Sequence, residues 1–111
     1  MNPAPLCTLF NTLADHDAED IVCRALQDIA IKLDHLQTSR RIGAFSEIPA
    51  PAKRMGAIAD QIGLTEVALV ARHTATAAEM RCGVALGATI ARLERAFDAA
   101  VSHVWDFRDY A

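Results

Sequence analysis

The sequence predicts an all-α protein, an antiparallel four-helix bundle with helices at about 17–41, 51–62, 65–81 and 84–108. Three observations lead there. Two long stretches space their apolar residues alternately by four and three: Val22, Leu26, Ile29, Leu33 and Leu36, then Leu86, Ile90, Leu93, Phe97, Ala100, Val104 and Phe107. That is the repeat of a single helix face. The hydrophobic fraction is 52% while aromatics make up only 5%, so alanine, the strongest helix former, carries much of the apolar content. No stretch alternates apolar and polar residues as a half-buried strand does.

Residues 1–14 read as a flexible N-terminal arm containing Pro3 and Pro5, and residues 15–111 as a single helical domain. Asp17 is the expected cap of the first helix, with Glu19 and Asp20 in its first turn, where acidic groups complement the dipole and the free N–H groups. Arg40 and Arg41 close it, and Gly43 supplies a left-handed stop. Ala44 to Pro51 reads as a loop, with Pro51 opening the second helix. That helix turns Met55, Ile58, Ala59 and Ile62 to one side and ends at Gly63.

Thr65 is the expected cap of the third helix. Val67, Val70, Ala71, Thr74 and Ala78 form one face of small residues. Leu69, His73, Thr76 and Met80 form a second stripe on nearly the opposite side, and His73 is the histidine expected to be buried. A helix apolar on two sides lies at the centre of a bundle or is covered by a partner. Cys82-Gly83 marks the expected break before the fourth helix. Gly83 and Gly87 inside one continuous helix are the alternative, at roughly 1 kcal/mol each relative to alanine.

Charge narrows the function classes. The net charge is −3. Residues 1–48 hold four basic and seven acidic groups, and residues 49–111 hold seven of each. Neither half offers the basic face that displaces counterions from a polyanion, so nucleic acid is disfavoured as a partner. Three cysteines, Cys7, Cys23 and Cys82, without a C-x-x-C spacing read as reduced thiols. Residues 1–14 have neither the basic start nor the apolar run of a signal peptide, and no stretch is long enough to span a bilayer. A cytoplasmic protein without membrane contact is the expectation.

The run Ile58-Ala59-Asp60-Gln61-Ile62-Gly63-Leu64-Thr65 resembles the first helix and turn of a helix-turn-helix, a resemblance covering Met55 to Thr74. It implies a DNA-reading third helix, yet Glu66, Val67, Val70, Ala71 and Thr74 occupy the face that should present polar base contacts, and Arg72 stands where the motif buries an apolar residue. In size and architecture the chain also resembles histidine-phosphotransfer domains. That resemblance implies a phosphoacceptor role for His35, on the polar face of the first helix, although His35-Leu36-Gln37-Thr38-Ser39-Arg40 lacks the lysine-glycine pair that usually follows the histidine.

His16 with Glu19 and His103 with Asp106 are spaced to share helix faces. No Glu-x-x-His repeat of the bundle metal enzymes occurs, so no metal site is assigned. No glycine-rich phosphate loop or nucleophile–base pair is present, so no cofactor and no catalytic residue are assigned either. The function expected is therefore non-enzymatic: a protein–protein interaction or small regulatory module, most simply a homodimer. Its expected interface is Leu69, His73, Thr76 and Met80, joined by Trp105 and Phe107.

Overall fold

A computed structural model describes the backbone of residues 15–110 and the side chains of residues 18–104. The expected N-terminal arm lies outside the described residues. Four α-helices follow one another: α1 Asp15–Arg41, α2 Pro49–Gln61, α3 Thr65–Glu79 and α4 Gly83–Tyr110, with a 3-10 turn at Phe45–Glu47 between α1 and α2. No strand occurs among the described residues. The long helices, of 27 and 28 residues, each rise roughly 40 Å at about 1.5 Å per residue. They account for the long dimension of a particle 43 × 17 × 16 Å in extent.

α1 buries Ala18, Val22, Ile29, Leu33, Leu36 and Ser39, with Leu26 half-buried. This is the expected stripe, extended by one residue at each end. α4 buries Leu86, Ile90, Leu93, Ala96, Ala100 and Val104, while Phe97 is only partly covered. Each helix packs on its neighbour in sequence, and the 3-10 turn between α1 and α2 touches α1, α2 and α3. α1 also packs on α4.

The helix boundaries carry several corrections. α1 begins at Asp15, so Asp17 lies within the helix rather than capping it. The span from Ala44 to Pro51 is not all loop. A 3-10 turn occupies part of it, and Pro49, not Pro51, opens α2. A proline at the first helical position loses nothing, because its missing N–H would have had no partner in the helix.

Leu64, not Thr65, is the cap residue of α3, and no side chain bonds the free N–H groups there. Burying Leu64 in the core prevails over the capping preference of the neighbouring hydroxyl, because the cap is worth only about 1 kcal/mol. α3 ends at Glu79 rather than at 81, and a turn through Met80–Cys82 separates it from α4. Gly83 and Gly87 are thus both inside α4.

Three helices end in the same way. After α1, Ala44 N donates to Ser39 O (2.8 Å) and Gly43 N to Arg40 O (3.2 Å). After α2, Leu64 N donates to Ala59 O (2.8 Å) and Gly63 N to Asp60 O (3.2 Å). After α3, Cys82 N donates to Ala77 O and Arg81 N to Ala78 O, both at 3.1 Å. This paired bonding is the Schellman motif, which requires a left-handed residue. Gly43 (φ 77°) and Gly63 (φ 80°) fill that position as the sequence suggests, and Arg81 (φ 53°) fills it at the third.

Candidate functional site

α3 is packed over half its circumference. Val67, Ala68, Val70, Ala71, Thr74, Ala75, Ala77 and Ala78 are all buried. Small side chains make this possible, since alanine lets α2 and α4 approach on either side. The one hydroxyl in this face is satisfied: Thr74 Oγ1 donates to Val70 O at 2.9 Å. Val67, Val70, Ala71 and Thr74, the side chains the helix-turn-helix reading set on the DNA-facing side, are core residues.

The opposite side of α3 is bare. Leu69 is 48% exposed and Met80 74% exposed, with His73 and Thr76 exposed between them. His73 is therefore not buried, contrary to the sequence expectation. Its stripe faces away from α2, α4 and the 3-10 turn, which are the elements that pack on α3. Thr76 turns its hydroxyl back on its own helix, donating to Arg72 O at 3.2 Å.

Ion pairs between α2 and α3 border the stripe on one side. Arg72 pairs with Asp60, and Lys53 Nζ lies 3.2 Å from Glu79 Oε1. The arrangement is an apolar row with a charged rim. Trp105 and Phe107, the other residues expected at this interface, lie outside the described side chains.

The other candidates are dispersed. His35 is exposed on the outer side of α1 beside Asp34, which is exposed too. His103 is exposed on α4, and the side chains of His16 and Asp106 are outside the described residues. Among the described residues no three His, Cys, Asp or Glu side chains gather as a metal site would require. Cys23 is half-buried and Cys82 exposed. No described helix is long and apolar enough to cross a membrane.

Sequence reasoning missed two features. One is Ser39, buried at the end of α1. Its position three residues after Leu36 continues the apolar stripe and was the available signal. The other is an open groove between the end of α1 and the start of α4, lined by Arg40, Arg41, Phe45, Gly83 and Val84. No local pattern announces it, because its two walls are some forty residues apart in sequence.

The fold thus defines an all-helical protein whose described surface holds an uncovered apolar stripe. No family model, curated protein or solved structure matches the chain.

Proposed function

We propose that this chain is a non-enzymatic protein–protein interaction or small regulatory module, folded as an antiparallel four-helix bundle, that self-associates through the outer face of α3. The bundle reading is supported by paired positions on the long helices. Arg40 of α1 lies against Gly87 of α4, and Gln37 Nε2 donates to Glu94 Oε1 at 2.7 Å. Moving toward the start of α1 therefore moves toward the end of α4.

One observation carries the functional reading. α3 has a complete core face and yet keeps Leu69 and Met80 uncovered on its other side. Burial of apolar area is the main favourable term in association, at about 25 cal/mol per Å². A stable interface needs roughly 800 Å² from each partner, so the flanking His73, Thr76 and Arg72 must be covered along with the two apolar side chains.

Light scattering over a range of concentrations tests this. Wild type should rise from monomer to dimer mass, and Leu69→Glu with Met80→Glu should stay monomeric. Wild type holding monomer mass at every concentration, with no partner bound through this face, removes the reading.

A histidine relay is the second reading, favoured by the exposure of His35 partway along a long helix. Incubation with a labelled phosphodonor decides it. Label that disappears in His35→Gln supports the relay, and an unlabelled wild type eliminates it.

A further inference from the structure

At the end of the molecule where α1 finishes and α4 begins, exposed apolar side chains stand beside exposed arginines that make no ion pair. Among the described residues the large apolar side chains most exposed to solvent are Val84 (87%), Met80 (74%) and Ile42 (71%), and all three belong to this end. So do three exposed arginines: Arg40 and Arg41 in the last turn of α1, and Arg81 in the turn before α4. No carboxylate among the described residues pairs with any of the three. The nearest acids along the chain are Asp34 and Glu47 for Arg40 and Arg41, both exposed, and Glu79 for Arg81, which pairs with Lys53 instead; none makes an ion pair with the three arginines.

Arg40, Arg41, Phe45 and Val84 come together as the walls of one groove. The guanidinium of Arg40 lies against the backbone of α4 at Gly87. A concentration of positive charge on a chain of net charge −3 is a local feature, complementary to a particular partner rather than to polyanions at large.

We propose that this groove is a docking site for an acidic segment of another protein, one that places a bulky apolar side chain between its carboxylates. Phe45 and Val84 receive the apolar side chain. Arg40 and Arg41 take carboxylates through forked, charge-assisted hydrogen bonds. The physical alternatives fit less well. Three arginines fall short of the four to eight cations of a lipid-binding basic cluster. A small organic anion calls for an enclosed pocket that buries most of its surface, whereas this groove is open along its length. The inference is independent of self-association through Leu69.

The test uses a short fluorescent peptide in which glutamates flank a leucine and a phenylalanine, read by anisotropy against the full chain. Wild type should bind it, and Arg40→Glu/Arg41→Glu should bind at least about tenfold more weakly, as reversal of interfacial charge pairs does. Val84→Asp, at a solvent-exposed position that leaves the core intact, should weaken it comparably. A peptide with the leucine and phenylalanine replaced by serine should also bind poorly, and so should one with lysines in place of the glutamates.

Circular dichroism establishes that each variant is folded. Equal peptide binding by wild type and both variants, or no binding by wild type, overturns the proposal. So does binding of phosphatidylserine vesicles by wild type with no affinity for the peptide, because the site would then serve a membrane.

Discussion

The guanidinium of Arg40 occupies the space that a Cβ on Gly87 would need: Nη2 lies 2.5 Å from that position and Cζ 3.1 Å. Two residues 47 apart in sequence thus share one volume, and the glycine admits the arginine. The obstructing atoms are the end of a flexible, exposed side chain, which can swing aside at little cost. Gly87→Ala should therefore gain stability, by up to about 1 kcal/mol from helix propensity, as Arg40 relocates. Urea unfolding measures it. A loss of stability that vanishes in an Arg40→Ala background would show instead that the guanidinium is fixed in place.

The three Schellman turns allow a comparison at constant geometry. Gly43 has open space where a Cβ would go, so Gly43→Ala meets only the backbone penalty of the left-handed region, about 1 kcal/mol. Arg81 already bears that penalty at φ 53°, and Arg81→Gly should recover a similar amount. Opposite signs in thermal or urea melts are expected. Equal signs would mean that the side chain of Arg81 contributes something the turn geometry does not require.

Ile29, Leu36 and Leu93 have no solvent-accessible surface. Truncating any of them to alanine should cost about 2–5 kcal/mol, the transfer term plus the cavity left behind. In a domain whose whole stability is of order 5–15 kcal/mol, that is a large fraction. Thr74→Val keeps the shape while removing a hydroxyl that bonds only its own helix, so it should change stability by less than about 1 kcal/mol. A cost for Thr74→Val matching that of Leu93→Ala would indicate a further partner for the hydroxyl.

The ion pairs beside the α3 stripe are exposed, with side chains about half accessible in both Lys53–Glu79 and Arg72–Asp60. Asp60 also stands near the C-terminal end of α2, where a negative charge opposes the helix dipole. Asp60→Asn should consequently alter stability by less than about 1 kcal/mol, and the change should shrink further in high salt. Denaturant titrations at low and high sodium chloride supply the check. A larger, salt-insensitive effect would argue that the pair is shielded from solvent, as it would be in a dimer closed over α3.

Sequence alone determined the helical class, the inward faces of α1 and α4, the core face of α3 and the turns at Gly43 and Gly63. Each of these is local: helix periodicity and the left-handed tolerance of glycine act within a few residues of chain. What it could not decide was which of the two apolar sides of α3 would be covered. Leu69, His73 and Met80 form as regular a stripe as many buried ones, and His73 is exposed only because no neighbouring helix reaches that side. Likewise Leu64 displaced Thr65 as the cap because the core needed the leucine, and Arg81 took the left-handed position because the chain had to turn before α4 could pack. The Arg40–Gly87 contact and the groove beside it exist only once α1 and α4 lie together. Periodicity reports which surfaces are apolar, but only the placement of other helices decides which of them lose their water.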